Sequence, residues 1–190
     1  MATSLAQITF EEFERMPEGD RKLELVDGVL VEKEMANADH EIVKGALIRP
    51  LVASLDPAQL EVLVEARHRL ARNTGREPDL AIWRTADLDT VDPHRTLDRG
   101  PLVAIEVVSS ETAADLQYKI AQYFAAGTEL VWTVYPRTRV VYAQWRDRRW
   151  AEYGLEDTLD AGETIPGLKI PVAVIFARLI KLEAAHPSPR

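Results

Sequence analysis

The sequence predicts a mixed α/β (α+β) fold. Two observations predict it: short apolar, β-branched runs between turn residues, which are typical of strands, and longer segments whose apolar residues recur at helical spacing. A third, at residues 139–153, is a pair of strand-like runs that predicts an antiparallel extension toward the C-terminus. The chain has 190 residues, 46% of them hydrophobic and 28% charged. This composition is ordinary for a globular protein, and we expect a single domain over residues 1–190 with a short frayed tail at about 184–190.

The N-terminal segment carries helix signals and then a hairpin signal. Thr9, with Glu12 three residues later, has capping-box spacing and predicts a helix over 10–16, ended by Pro17 and Gly19. The runs 22–26 and 29–31 flank Asp27-Gly28, a dipeptide that readily adopts the positive φ angles of a tight hairpin turn. Glu24 should project from the first strand of this hairpin.

The middle of the chain predicts one long helix followed by strands. Apolar residues at helical spacing place the helix at about 39–55, with Asn37 or Asp39 as its cap and Pro50 expected to kink its far end. Strands are predicted at about 60–69, 79–84 and 102–108. An exposed polar loop should separate the last two.

The C-terminal half continues the alternation of predicted helices and strands. A helix is predicted from about 111 to Ala126, stopped by Gly127, and is followed by a strand at 130–135. The antiparallel extension comes next, then a bend at 165–167. A closing helix is predicted at 172–182.

Composition and charge argue against several classes of protein. The net charge of −8 disfavours nucleic-acid binding through bulk positive charge, because phosphate neutralisation by Lys and Arg dominates such affinity. The charge-free stretch 170–177 falls far short of the roughly 18 residues that a membrane span needs. Residues 1–10 lack the features of a secretion signal, and cysteine is absent, so we expect a cytoplasmic protein without membrane association.

One local stretch is nevertheless basic. Residues 67–76 hold four arginines and His68 but no acid, and they lead directly into Asp79. They fit either a solvated hairpin or a surface that steers a phosphate backbone toward the acids.

Two acids and one lysine occupy positions that packing alone disfavours. Asp79 opens an apolar run and Glu106 lies inside another, where an ionised carboxylate needs a cation or hydrogen bonds to offset its burial. Both faces of the strand that carries Glu106 are apolar, so this strand should be central. Lys119 falls at the edge of the apolar stripe of the next helix, from which it can reach a core-facing acid. The alternatives are Asp79 as a strand-entry cap, Glu106 as a neutral or salt-bridged core acid, and Lys119 in a surface pair with Asp115.

Several short motifs follow one another along the chain: 23–28, His40 opening a helix, Glu77-Pro78-Asp79, 105–109, Asp115, Lys119, Tyr123, Gly127, Trp132 and Pro136. In their order and spacing, these motifs resemble the PD-(D/E)xK nuclease superfamily. In the motif that gives the superfamily its name, the lysine follows the second acid by two residues, but Val108 occupies that position here. A group of bacterial restriction-endonuclease-like proteins shows the same departure, with its lysine in the following helix. This chain is similar to that group over most of its length.

The resemblance implies a fold, a site and a reaction. The fold is a restriction-endonuclease-like mixed β-sheet flanked by helices, with Asp79 and Glu106 as ligands of Mg²⁺ or Mn²⁺. Phosphodiester hydrolysis, with DNA as the expected substrate, needs an activated water and neutralised phosphate charge, which such an ion supplies. Lys119 would orient or deprotonate the water or stabilise the phosphate. Glu24 would be a third acid, binding the metal through water or acting as a base, although it could equally be a solvent-facing strand residue.

The remaining candidate residues, and the functional class of the protein, also admit a second interpretation. His40 and Tyr123 are candidate accessory residues, although a histidine in a first helical turn is more often on the surface and an aromatic in an amphipathic stripe is more often core. The four tryptophans, Trp83, Trp132, Trp145 and Trp150, are expected to pack rather than to stack on bases. A homodimer fits the resemblance, since two sites can address two strands. The acidic charge and displaced lysine also favour a non-catalytic binding or assembly module on the nuclease scaffold.

Overall fold

The structure, a computed structural model, describes residues 7–17, 22–33 and 37–186. Its helices are α1 (Phe10–Glu14), α2 (Ala38–Ser54), α3 (Thr85–Leu88), α4 (Ala113–Ala125) and α5 (Val172–Ala185). Its strands are β1 (Leu23–Val26), β2 (Val29–Glu32), β3 (Leu60–Val64), β4 (His68–Ala71), β5 (Thr74–Arg76), β6 (Leu80–Arg84), β7 (Val103–Val107), β8 (Leu130–Tyr135), β9 (Val140–Trp145), β10 (Trp150–Tyr153), β11 (Thr158–Asp160) and β12 (Lys169–Pro171). The predicted mixed fold is confirmed. The expectations for Gly19 and for residues 187–190 lie outside the described residues.

A six-stranded mixed sheet in the order β10-β9-β8-β7-β6-β3 forms the centre of the fold. β7 and β8 are parallel, while the other neighbours are antiparallel. On one face, α2 and α5 pack against alternate residues of β7 such as Ile105. On the other face, α4 packs against Ala104 of β7 and Val131 of β8. β7 is therefore central and covered on both sides, as its two apolar faces predict.

A smaller four-stranded sheet, in the order β2-β1-β5-β4, carries the predicted hairpin. Asp27 and Gly28 have φ angles of 48° and 82°, which a turn of this kind needs. α1 begins with the predicted capping box between Thr9 and Glu12. Its two phenylalanines, Phe10 and Phe13, form an apolar cluster with Leu25 of β1.

The strand predicted over 60–69 is wrong as a single element. It consists of β3 in the large sheet and β4 in the small one. Glu65 between them has a φ of 48°, so the chain leaves one sheet and enters the other there. The basic stretch does form a hairpin, β4–β5, but it is not solvated throughout, because His68 and Arg76 are buried.

The helix boundaries follow the sequence signals closely, with some differences. Asn37 is the N-cap of α2 without a side-chain capping bond, and the helix continues past Pro50 to Ser54. α4 ends next to Gly127, whose φ is 105°. α3 lies inside the predicted loop, and the β11–β12 pair was not predicted. None of the helices within the described residues is long and apolar enough to cross a membrane.

The tryptophans do not all pack as expected. Trp83 and Trp132 are fully buried in the large sheet, and Trp145 is partly buried against the same core. Trp150 departs from the expectation, because 67% of its surface is exposed.

Candidate active site

Asp79 and Glu106 meet where two neighbouring strands end. Asp79 directly precedes β6, and its Oδ2 accepts a 2.8 Å hydrogen bond from the backbone N–H of Val107, the last residue of β7. Glu106 is the residue before Val107. Asp79 and Glu106 are 2% and 1% exposed. The strand pairing that closes the core therefore also places the two predicted acids beside each other.

Asp79 is surrounded by two basic side chains. Its Oδ1 lies 3.3 Å from Lys33 Nζ and 3.3 Å from His40 Nε2. Burial raises the pKa of Asp79, but the hydrogen bond with His40 and the charge of Lys33 outweigh burial and hold that pKa well below its usual range. Burial lowers the pKa of His40, yet its bond to Asp79 raises that pKa on balance. Asp79 is thus an ionised carboxylate, and His40 lies inside the site.

Glu106 is held by the two α4 residues that the sequence places near it. Lys119 Nζ lies 3.4 Å from Glu106 Oε2, and the Tyr123 hydroxyl donates a 2.7 Å hydrogen bond to Glu106 Oε1. Burial raises the pKa of Glu106 to about 7, with the charge of Asp79 adding to the effect and Lys119 opposing it. Burial lowers the pKa of Lys119, but Glu106, Glu24 and Glu111 raise it above its usual value. Lys119 is therefore a buried cation.

The alternative surface pair of Lys119 with Asp115 is not formed. Asp115 instead lies in the first turn of α4, where its backbone N–H donates to the hydroxyl of the N-cap Thr112 and its Oδ2 accepts a 2.6 Å bond from that hydroxyl. The second partner of the Lys119 ammonium is the carboxylate of Glu111.

Glu24 extends the site into the small sheet. It is 5% exposed, so the solvent-facing alternative is wrong. Arg76 of β5 donates a 2.8 Å bond to Glu24 Oε2, and the backbone N–H of Glu77 donates a 3.0 Å bond to Glu24 Oε1. Burial raises the pKa of Glu24, but the charges of Lys119 and Arg76 outweigh it and lower that pKa. Arg76 also donates a 2.8 Å bond to Gln122 of α4.

Three contributors to this site were not predicted as site residues: Lys33, Arg76 and Glu111. Lys33 follows β2 and also donates a 2.9 Å bond to the carbonyl of Glu77. In the sequence it stands between two glutamates, Glu32 and Glu34, so nothing marks it as buried. The only sequence feature that points to Arg76 is its place in the basic stretch 67–76. No sequence feature points to Glu111.

The donor set fits a hard divalent cation with few protein ligands. Within the described residues, no group of three or more His, Asp or Glu side chains is arranged to hold a metal ion. Asp79 and Glu106 offer two carboxylates that repel each other, which a cation between them would relieve. His40 Nδ1 is buried and has no hydrogen-bond partner among the described residues. Mg²⁺ binds through one or two carboxylates and keeps several waters, so these residues suit it or Mn²⁺.

A mixed sheet flanked by helices, with a lysine on the helix after the second acidic strand, defines a restriction-endonuclease-like protein of the PD-(D/E)xK superfamily. The chain belongs to the family described as "Uma2: Putative restriction endonuclease", whose profile matches residues 10–173. A crystal structure from Anabaena variabilis, titled a putative nuclease belonging to DUF820, has a TM-score of 0.80 and 16% sequence identity, covering 90% of this chain and 99% of that one. At this identity the likeness shows the fold alone. No curated protein matches the chain.

Proposed function

We propose that this protein is a metal-dependent nuclease that hydrolyses phosphodiester bonds, with DNA as the first substrate to test. The observation that carries the proposal is the buried cluster of Asp79, Glu106 and Lys119. Burying two acids and an ammonium among apolar layers is costly, and well-packed apolar residues would serve stability at least as well. Membership of a nuclease family supports a catalytic reason for keeping them.

Asp79 and Glu106 are the residues that would hold Mg²⁺ or Mn²⁺, which when bound supplies charge neutralisation and a water of lowered pKa. Lys119 stays protonated because the carboxylates around it raise its pKa. Of its three predicted roles, Lys119 therefore suits the two of a point charge, orienting the water or stabilising the phosphate, and not that of a base. The Tyr123 hydroxyl holds the Glu106 carboxylate in place through its 2.7 Å bond.

Glu24 and His40 surround this centre. The lowered pKa of Glu24 makes it a poor base at neutral pH, so we assign it the task of accepting a hydrogen bond from water while holding Arg76. Arg76, which is buried between Glu24 and Gln122, adds positive charge to the site. His40 orients the Asp79 carboxylate through Nε2, while its buried Nδ1 has no hydrogen-bond partner among the described residues.

The test is cleavage of supercoiled plasmid and of labelled oligonucleotides with Mg²⁺ or Mn²⁺. We expect Asp79→Asn, Glu106→Gln and Lys119→Met each to lower the rate by about 100-fold or more, as removal of electrostatic stabilisation does elsewhere. Glu156→Gln and Lys181→Met are matched controls, because both residues are exposed and far along the chain from the cluster. Equal cleavage by all six proteins would reject the assignment.

One observation favours a second candidate, a non-catalytic binding or assembly module. Lys33 and His40 already compensate Asp79, so the site is charge-balanced without a metal. Calorimetry with Mn²⁺ separates the two candidates. An absence of binding heat, together with a stable oligomer in size-exclusion chromatography, would favour the module, whereas Mn²⁺ binding that requires Asp79 favours the nuclease. A homodimer stays a prediction in either case.

A further inference from the structure

The sheet face that carries Glu106 continues beyond α4 as a row of aromatic rings. Register aligns Glu106 of β7 with Thr133, Tyr142 and Glu152 on the next three strands, so these residues share one face. On that face the rings of Tyr135 and Tyr142 meet edge to face at 5.6 Å between centroids. The rings of Tyr142 and Trp150 follow at 6.4 Å and 45°. The row thus leads outward from the side of the site to an exposed tryptophan.

Trp150 lies on the rim of a basic groove between α4 and the β9–β10 hairpin. The groove has a volume of about 470 Å³, and its α4 wall includes Gln117 and Phe124. Its hairpin wall includes three arginines, Arg146, Arg148 and Arg149. Within the described residues no acidic side chain lines it. In a chain of net charge −8, the groove is a second locally basic feature in addition to the stretch 67–76.

The three arginines differ in whether they already form an ion pair. Arg149 bonds to Asp147 at 2.7 Å and lies 5.5 Å from the centre of the Trp145 ring. Arg146 and Arg148 are exposed, and neither forms an ion pair within the part of the chain that the structure describes. Two cations therefore remain available to an anionic ligand beside an open aromatic face.

We propose that this groove binds an unpaired nucleic-acid strand, with a base stacked on Trp150 and phosphates at Arg146 and Arg148. The inference rests on the proposed nuclease function and names its substrate class, a strand that is single or locally unpaired. An aromatic face accepts any unstacked base, whereas the bases of an intact duplex are already stacked on each other. A duplex would place phosphates at the arginines, but none of its bases would stack on the Trp150 ring.

The spacing suits a strand that runs from the groove to the site. Three strand spacings and two residues along β10 separate the backbones of Glu106 and Trp150, which corresponds to about 16 Å. At about 3.4 Å per stacked nucleotide, this distance spans about five nucleotides, and fewer in an extended strand. An oligonucleotide of about 12 nucleotides is therefore long enough to reach from Trp150 to the site.

The experiment measures binding in EDTA, where hydrolysis cannot interfere. A labelled oligonucleotide of about 12 nucleotides, within the range of known single-strand sites, is compared with its duplex by fluorescence anisotropy. We expect the single strand to bind more tightly and to quench tryptophan fluorescence. Trp150→Ala should weaken its binding by about 10-fold or more, and Trp150→Phe should restore much of the loss because it keeps a stacking ring.

The arginines are tested by salt dependence. Arg146→Gln with Arg148→Gln should make the slope of log affinity against log salt shallower by about 1.4, the value for two lost phosphate contacts on a single strand. Arg49→Gln with Arg178→Gln is the matched control, since these exposed arginines lie on α2 and α5 across the sheet. Circular dichroism checks that each variant folds.

Each outcome bears on the inference separately from catalysis. Single-strand binding that is the same in the parent and in Trp150→Ala overturns it, as does a preference for the duplex without fluorescence quenching. Absence of nucleic-acid binding by the parent at low salt also overturns it. Trp150-dependent binding by a protein that cleaves nothing with Mn²⁺ would uphold the groove and reject the nuclease.

Discussion

Lys33 occupies a position beside Asp79 that a bound divalent ion would also need. Its ammonium lies 3.3 Å from Asp79 Oδ1. Burial lowers the pKa of Lys33, but Glu106, Asp79 and Glu24 raise it on balance, so it is a cation shared among the acids of the site. A metal ion that binds between the carboxylates must therefore displace the Lys33 ammonium or bind against its repulsion.

Replacing this charge should change metal affinity and stability in opposite directions. We expect Lys33→Met to lower the metal-free free energy of unfolding by about 1–2 kcal/mol, because buried Asp79 loses one of its partners. The same variant should bind Mn²⁺ about 10-fold more tightly or better, because like-charge competition is gone. Calorimetry and chemical denaturation measure the two effects, with Lys181→Met as the control. Unchanged or weaker Mn²⁺ binding by Lys33→Met would contradict this role.

His68 is a second buried residue with a measurable charge state. It is fully buried, and its Nε2 accepts a 3.0 Å hydrogen bond from Trp83 Nε1. Burial lowers the pKa of His68 from 6.5 to about 4. Because the folded pKa is below the unfolded one, the stability that His68 contributes is fully present above pH 6.5 and is lost as pH falls toward 4.

The expected loss over this window is about 3 kcal/mol, from a shift of about 2.5 pH units at 1.36 kcal/mol each. Denaturation curves of the parent and of His68→Gln between pH 4 and 7.5 measure it. The variant should be less stable than the parent at neutral pH, and the difference between them should shrink as pH falls. A difference that does not depend on pH would show that His68 keeps an ordinary pKa.

The residues that the sequence identifies are those that break an apolar pattern. Asp79, Glu106 and Lys119 stand out because a charge interrupts a run that should be buried. Lys33 and Glu111 lie among polar neighbours, so the local hydropathy pattern does not indicate that they are partly buried. Their place depends on contacts between residues far apart in sequence, such as the pair 33 and 79, and single-sequence reasoning cannot supply these.

Among the elements, α1 is held on the small sheet by several contacts, one of which is a close approach between Phe10 and Gly75. Gly75 of β5 is buried beneath the ring of Phe10, and a Cβ placed on Gly75 would lie 2.4 Å from Phe10 Cε2. Glycine is therefore required by space at this position. The contact secures β5, whose next residue, Arg76, enters the site.

Gly75→Ala should destabilise the protein by about 1–3 kcal/mol, the usual cost of overpacking. Gly45→Ala is the matched control, because a Cβ on exposed Gly45 in α2 meets nothing within 4 Å. That variant should instead stabilise the protein by about 0.5–1 kcal/mol through helix propensity. Thermal unfolding distinguishes the two, and a stabilising Gly75→Ala would show that Phe10 does not pack as described.

The elements that the sequence predicts correctly are those with local signals. The capping box at Thr9, the Asp27-Gly28 turn and the stop at Gly127 each depend on a few neighbouring residues. The division of 60–69 between two sheets has no such signal. No glycine, proline, asparagine or aspartate marks a turn within 60–69, and only the distant partners, β6 for β3 and β5 for β4, separate the two strands.

On the scale of the whole molecule, the site lies where separate parts of the fold meet. The small sheet supplies Glu24 and Arg76, the large sheet Glu106, and α4 supplies Lys119. Anything that binds there ties these parts together and stabilises the folded chain by mass action. The expectation of one domain then predicts a single cooperative thermal transition that shifts upward with a bound ion.

This shift should depend on pH through Glu106. In the metal-free protein the pKa of Glu106, about 7, exceeds its ordinary value of 4.5. The stability that Glu106 contributes is therefore fully present below 4.5 and is lost as pH rises through 7. A bound divalent ion needs the ionised carboxylate, so protons compete with it below pH 7 and cease to compete above.

We therefore expect Mn²⁺ to raise the Tm little at pH 5.5 and progressively more up to about pH 8, because its affinity should change about tenfold per pH unit below the pKa of Glu106. Differential scanning calorimetry with and without Mn²⁺, in buffers that do not bind metal, measures this gain. Glu106→Gln cannot ionise and should show little gain at any pH, while Glu156→Gln should follow the parent. A gain in Tm that is equal at all pH values, or that persists in Glu106→Gln, would place the ion elsewhere than at this pair of acids.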